Sequence, residues 1–334
     1  MEYFQDQNES SVNDNIISSE NNGFIIGYLV LLALTAFCGT FGNILVIGAV
    51  LVHQKLRILS NIFIVNLAIA DLMVSAIINP FSILGALTEG EFFYKYPALC
   101  ETIACLCIVS CMCSIWNIAA ISINRYICIC HRLLYYDMYT KEKMPFYIFG
   151  LWLLCFGIDF PNFVGWGGHE FNTEGYLCVF NFLTGYNYTL YLTFLGICTP
   201  MTLVSFCYFR ILIFARSVRK ELTKIGKMDN DKKIKQTDLR LLRSIATIWV
   251  VFILMWAPFT AFVLFFYGTW PKWVFKMAVA LAHTNSSINC IIYAATNKHF
   301  REGYVKFLLL CLPLKKQSSS TLSSLNIAIN TENP

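Results

Sequence analysis

Two charged side chains stand where the surrounding sequence offers them little water, and they define the chemistry this chain has available. Arg125 lies in IAAISINRYICICHRLLYYDMY (residues 118–139), at the end of a long apolar run, and Asn124 precedes it where an acid might be expected. An amide does not neutralise a guanidinium, so a partly desolvated Arg125 needs other partners. Asp238, in the basic stretch further along, is one, and the hydroxyls of Tyr208 and Tyr293 offer a second set. Exchange between the two sets would make a bistable polar contact. The plainer use is an arginine whose head reaches the lipid headgroups.

Asp71, in NLAIADL, is the second charge. Asn43, Ser114, Asn285, Ser286 and Asn289 are the polar groups available to it from other apolar runs. A carboxylate among hydroxyls and amides could hold Na+. The same groups could instead join helices by hydrogen bonds, and spacing does not choose between the two. Reaction chemistry is not visible: G-x-S-x-G and Walker-type signatures are absent, so neither an enzyme nor a catalytic residue is expected, and no cofactor beyond an allosteric Na+.

These groups need a membrane-embedded scaffold. The 334 residues are 57% hydrophobic, 16% aromatic and 13% charged, against roughly 25% charged in soluble domains. Runs at about 24–52, 61–87, 98–130, 145–166, 186–215, 241–267 and 273–296 each reach the roughly 20 apolar residues that cross a bilayer. The expected fold is an all-α membrane protein, a seven-transmembrane helix bundle with a short amphipathic eighth helix. Residues 1–23 contain Glu2, Asp6, Glu9, Asp14 and Glu20 and no Lys or Arg, whereas eleven basic residues fall between Arg210 and Arg243. The positive-inside rule then places residues 1–23 outside as a tail, 24–314 as the transmembrane domain and 315–334 in the cytoplasm. The net charge of +5 is thereby a topology signal, set against anionic membrane lipid, and not a sign of nucleic-acid binding.

Fourteen cysteines divide by location. Cys100 and Cys178 are the pair on the oxidising side, and a disulfide between them is expected. Cys105, Cys107, Cys111 and Cys113 show no zinc-type spacing with histidines and are expected to pack helices. Cys311, beside the inner face, is open to acylation, and the sequons at Asn8 and Asn187 to glycosylation. Pro80, Pro161, Pro200 and Pro258 lie inside apolar runs and are expected to kink them; in FILMWAPF, Trp256 stands two residues before Pro258.

In order along the chain, Gly42-Asn43, LAIAD ending at Asp71, Cys100 with Cys178, Arg125-Tyr126, Trp152, Pro200 with Tyr208, WAP at Trp256–Pro258, Asn289 to Tyr293 and Phe300-Arg301 resemble the signatures of rhodopsin-like (class A) G protein-coupled receptors. Two signatures depart from the commonest form. The acid-Arg-Tyr triplet is Asn124-Arg125-Tyr126, and the Asn-Pro-x-x-Tyr signature runs from Asn289 to Tyr293 without proline. The segments NRYICICHRLLYYDMYTKEK and IIYAATNKHFREGY resemble those of melatonin receptors, which also often lack the seventh-span proline.

The resemblance implies a plasma-membrane receptor that couples an extracellular small-molecule ligand to a heterotrimeric G protein, of the inhibitory class if the melatonin receptors are followed. Its ligand residues would be Cys107, Ile108, Met112, Asn162, Phe180, Asn181, Trp256 and Phe259, and its activation switch Asn124, Arg125, Tyr126, Tyr208, Asp238, Trp256, Pro258, Asn289 and Tyr293. Asn162 matches the family's fourth-span asparagine, with a helix-terminal hydrogen bond as its other use. The loop glutamine of melatonin receptors is not found, Phe182 standing in its place beside Asn181. Cys107, where receptors for amines carry an acid, argues against a cationic ligand, and His283, where opsins carry lysine, against a Schiff base. Related invertebrate orphan receptors for a lipid or other guidance cue are an alternative. A small-solute transporter is the alternative from another class, and it would need paired broken helices that the sequence does not repeat.

Overall fold

The computed structural model describes residues 2–181, 186–224, 247, 249–266 and 271–311, with side chains from Gly23 onward apart from 219, 221–224, 266 and 272. Asp238 lies outside the described residues. Five helical segments among them are long and apolar enough to cross a membrane: Gly23–Val52, Asn61–Leu87, Pro97–Cys130, Met144–Asn162 and Tyr186–Val218. The first of these is the C-terminal part of a continuous helix, Glu2–Val52. Trp249–Phe265 is a shorter apolar helix in the sixth position. The seventh, Lys272–Thr296, carries His283, Thr284, Asn285, Ser286, Ser287 and Asn289 in its middle. That polar stretch lowers its hydropathy, because this helix buries its polar face against the bundle instead of facing lipid. An eighth helix, Lys298–Cys311, follows directly.

Burial is inverted relative to a soluble protein. Phe37, Phe146, Phe149 and Leu153 stand exposed around the outside, while Asn43, Asn66, Asp71, Asn117 and Asn289 are buried. Apolar side chains gain nothing by leaving lipid, whereas each polar group must find a partner, so the polar residues specify which helix faces meet.

The prolines act as their chemistry requires. A proline lacks its N–H and pushes away the carbonyl four residues earlier. For Pro80 and Pro200 those carbonyls belong to Ala76 and Gly196, inside the wide π-helical turns Val74–Ile78 and Leu192–Cys198. A third wide turn, Phe262–Phe266, follows Pro258. Pro161 does not kink the fourth span but ends it: the α-helix stops at Asp159, and a 3-10 turn, Phe160–Asn162, closes it. The expected run to residue 166 is thus too long, because Gly165 and Gly168 beyond the turn take positive φ values of 86° and 156° that no helix continues through.

Outside the helices, β1 (His169–Asn172) and β2 (Leu177–Phe180) form an antiparallel hairpin with Phe171 opposite Cys178. The disulfide between Cys100 and Cys178, Cα atoms 5.3 Å apart, ties this hairpin to the top of the third helix. The hydroxyl of Tyr28 donates to Gly175 O at 2.7 Å and brings the first helix to the hairpin turn. At the other end Phe300 stacks on Tyr293 with ring centroids 5.0 Å apart, and the Tyr304 hydroxyl donates to Cys290 O at 3.1 Å. These contacts leave Val305, Leu309 and Leu310 of the eighth helix exposed as an apolar strip.

The first and seventh helices touch where Gly42 meets Cys290: a β-carbon on Gly42 would overlap the Cys290 sulfur. Gly150, by contrast, has nothing within 4 Å of where its β-carbon would stand. Gly42→Val is therefore expected to cost about 1–3 kcal/mol, read as a lowered thermal unfolding midpoint in detergent, while Gly150→Val leaves the midpoint near that of the parent.

Candidate functional site

Three polar clusters and one cavity run along the bundle axis. In the middle, Asp71 is fully buried and its two oxygens are split between helices. Ser114 Oγ of the third helix donates to Oδ1 at 2.9 Å, and Asn289 Nδ2 of the seventh donates to Oδ2 at 2.8 Å. Asn43 stands one step away, its amide donating to Ser286 O at 2.9 Å and to Gly39 O at 2.9 Å. Of the six residues expected at this level, Asp71, Ser114 and Asn289 are in direct contact and Ser286 follows on the seventh helix. Asn43 joins through the Ser286 backbone, and Asn285 is buried on the same helix.

A second cluster, absent from the sequence expectations except for Trp152, lies toward the inner side. Asn66 Nδ2 donates to Asn117 Oδ1 at 2.9 Å, and Trp152 Nε1 donates to Asn66 Oδ1 at 2.8 Å. Asn117 in turn donates to Cys113 O at 2.7 Å. Second, third and fourth helices are thereby joined by one chain of neutral hydrogen bonds, which carries no charge burial cost.

At the inner end Arg125 Nη2 donates to Ser60 Oγ at 3.3 Å, and its Nε has no hydrogen-bond partner among the described residues. The same holds for the hydroxyls of Tyr208 and Tyr293 and for the side chain of Asn124. Tyr126 points elsewhere: its hydroxyl meets His131 Nε2 at 3.0 Å and its ring packs edge-on to Phe206. A buried donor without an acceptor costs about 1–3 kcal/mol. Among the described residues, the inner ends of the third, fifth and seventh helices thus hold buried polar atoms without a hydrogen-bond partner.

Toward the outer side lies a cavity of about 50 Å³ under β2. Cys107, Ile108, Met112, Phe180, Trp256 and Phe259 all line it, with Cys111, Phe275, Val279 and His283 beside them. Trp256 forms its floor, stacked on Phe252 and edge-on to Phe259. Pro258 is exposed on the lipid side of the same helix. Asn162 and Asn181 do not line the cavity. Asn162 donates to Asp159 Oδ1 at 2.8 Å and accepts from Gly168 N at 3.1 Å, which uses both ends of its amide to seat the loop. Asn181 extends the hairpin, its backbone N–H donating to Gly168 O.

Asp159 is the group that sequence reasoning passed over. It is fully buried at the outer end of the fourth helix and meets His169 of β1 at 3.1 Å and the Tyr188 hydroxyl at 3.4 Å. An acid inside an apolar run is itself a signal, but its partner on a loop strand has no spacing that announces it. Next to His169, burial raises the Glu170 carboxyl above its ordinary value, against a smaller opposing effect from Asn181.

Asn187 is exposed at the start of the fifth span, Cys311 is exposed at the end of the eighth helix, and Asn8 lies in the part of the first helix whose side chains are not described.

Comparison with known proteins agrees with this arrangement. The 7 transmembrane receptor (rhodopsin family) pattern matches residues 42–293. Melatonin receptor type 1A of Mus musculus is 33% identical over 290 residues, covering 84% of this chain and 80% of its own length. Melatonin receptor type 1B of Rattus norvegicus is 33% identical over 274 residues, covering 80% and 73%. Squid rhodopsin superposes with a TM-score of 0.75 at 22% identity, over 93% of this chain and 92% of its own. The chain belongs to the rhodopsin family of seven-transmembrane receptors. It is a multi-pass receptor of the plasma membrane similar to melatonin receptors, and not an enzyme.

The polar contact between Asp159 and His169 is buried at both ends, so each member depends on the other. Asp159→Asn and His169→Ala are expected to couple by about 0.5–3 kcal/mol in a double-mutant cycle on thermal stability. Asp159→Asn combined with Glu91→Gln, in the short helix Glu91–Lys95, should add without coupling.

Proposed function

We propose that the receptor binds a small, uncharged, partly aromatic ligand of the melatonin kind in the outer cavity and activates an inhibitory-class heterotrimeric G protein. The observation that carries this reading is the cavity wall: among the described residues it contains no Asp, Glu, Lys or Arg, and its polar groups include His283, Thr193 and two thiols. A cationic ligand would have no counter-ion there. Pockets for small molecules span about 300–1,000 Å³, so ligand entry into a cavity of about 50 Å³ must displace side chains. Trp256 and Phe259, both on the proline-bearing sixth helix, stand where that displacement moves the helix. The bend at Pro258 carries the motion inward, away from the third helix, so that Arg125 exchanges Asp238 for the hydroxyls of Tyr208 and Tyr293 or for the G protein.

In this reading residues 1–23 are extracellular and bear a glycan at Asn8, with another at Asn187. Residues 24–314 form the receptor domain, residues 315–334 are cytoplasmic, and an acyl chain on Cys311 extends the apolar strip of the eighth helix. Asp238 pairs with Arg125 before activation. Na+ at Asp71, Ser114 and Asn289 joins second, third and seventh helices and favours the closed arrangement.

Cyclic AMP measured in transfected cells against melatonin, a panel of indoles, and lipids is the test. Melatonin or an indole is expected to lower cyclic AMP, and Arg125→Ala to reduce G protein nucleotide exchange by roughly tenfold or more while ligand binding persists. A response to lipids alone would transfer the ligand assignment to the guidance-cue reading. Replacing choline by Na+ should weaken agonist binding by about fivefold, and Asp71→Asn should abolish that dependence.

A further inference from the structure

The polar part of the outer cavity's wall holds a second kind of chemistry, on Cys107, which the ligand reading also uses, and on Cys111 and His283 beside it. Cys107 and Cys111, one turn apart on the third helix, face His283 of the seventh, and the two sulfurs and an imidazole nitrogen all lie within 4.8 Å of one another. All three residues are buried. The Cys107 sulfur is 3.9 Å from His283 Nε2. Around a tetrahedral zinc ion, sulfur and nitrogen ligands stand about 3.6 Å apart and two sulfurs about 3.8 Å, so the Cys107–His283 pair needs a movement of a few tenths of an ångström and the other two pairs, each within 4.8 Å, at most about 1 Å.

The hydrogen-bond network prepares the histidine for this role. Asn79 is fully buried and its Nδ2 donates to Thr35 Oγ1 at 3.1 Å, which turns its carbonyl oxygen, Oδ1, toward the ring. That oxygen lies 2.8 Å from His283 Nδ1. A carbonyl oxygen only accepts, so Nδ1 donates to it and Nε2, which faces the Cys107 sulfur, is the nitrogen left to coordinate. An imidazole held in one tautomer by an outer carbonyl is the arrangement found behind metal-ligating histidines.

We infer that Cys107, Cys111 and His283 form a zinc site with an open fourth position facing the cavity. Two thiolates and one imidazole select a soft or borderline cation over Ca2+, Mg2+ or Na+. Charge selects among those: Zn2+ with two thiolates is neutral, and a neutral centre is the one a low-dielectric bundle interior accepts, whereas Cu+ with the same ligands leaves a negative charge. Binding converts two thiols to thiolates and releases two protons to solvent, with no change in oxidation state. The cavity of about 50 Å³ has room for the ion and a water molecule at the fourth position. The site joins the third helix to the seventh across the ligand cavity, so Zn2+ would act on the receptor with or without the ligand proposed above.

Co2+ titration of the full-length receptor in nanodiscs, after reduction and chelation, reads the site without any organic ligand. The expected result is thiolate-to-cobalt charge-transfer absorption with tetrahedral visible bands, saturating near one ion per receptor and displaced by Zn2+. Cys107→Ser with Cys111→Ser removes the bands. Cys105→Ser, on the same helix but outside the cluster, keeps them. Asn79→Ala lowers affinity about 10–100-fold, as expected for loss of the partner that orients the histidine. Absence of the bands in the unsubstituted receptor overturns the proposal whether or not the double variant folds. So do bands that survive in the double variant, or a Cys107–Cys111 disulfide found by mass spectrometry in the receptor as isolated.

Discussion

A carboxylate placed in the middle of a bilayer has to be answered by the protein, and the packing of this bundle is organised around that answer. Asp71 divides its two oxygens between Ser114 and Asn289, so that the second, third and seventh helices must meet at one level. Removing either donor would leave a buried charge half satisfied, a cost that lipid cannot relieve. Asn43, which reaches the same level through the backbone of Ser286, adds the first helix. The Gly42 contact beside it then follows, because the two helices can only approach that closely where one of them lacks a side chain.

Above and below this level the two ends of the molecule are treated oppositely. The outer end is over-determined: a disulfide, the bond from Tyr28 to Gly175, and the Asp159–His169 pair all fasten one hairpin over the cavity. At the inner end, Arg125, Tyr208, Tyr293 and Asn124 retain buried polar atoms without partners among the described residues. The wide turns beside Pro80, Pro200 and Pro258 supply the places where helices can bend without losing further hydrogen bonds. The departures from the commonest family signatures are consistent with this. Asn124 in place of an acid leaves Arg125 without a neighbouring counter-charge, which makes the inner contact weaker and the balance between arrangements closer.

The outer cavity shows how a single surface can serve packing and recognition together. Trp256 and Phe259 are part of the aromatic core and also the floor that a ligand would press upon. His283 is held from behind by Asn79 while its other nitrogen faces the Cys107 sulfur, so this part of the wall is pre-organised. Asn162, which family resemblance had suggested for ligand contact, is instead bonded at both ends beneath the loop. Its amide cannot reach inward without releasing Asp159 and Gly168.

The order of helices, the disulfide and the participation of Asp71, Ser114 and Asn289 were legible in the residues themselves. The reason is that a membrane makes hydrophobic length, basic flanks and isolated polar groups stand out against their background. Three kinds of feature were not legible. The hairpin over the cavity pairs short strands whose register depends on the cysteine they present. The Asn66–Asn117–Trp152 chain and the Asp159–His169 pair join residues from separate elements, and no spacing along the chain records such meetings. The clearest case is Cys107, Cys111 and His283: the sequence determined two thiols one helical turn apart and a histidine in a distant polar run. Only tertiary packing decided that the third and seventh helices turn those groups toward one another, because which faces meet depends on the mutual satisfaction of buried polar groups across the whole bundle.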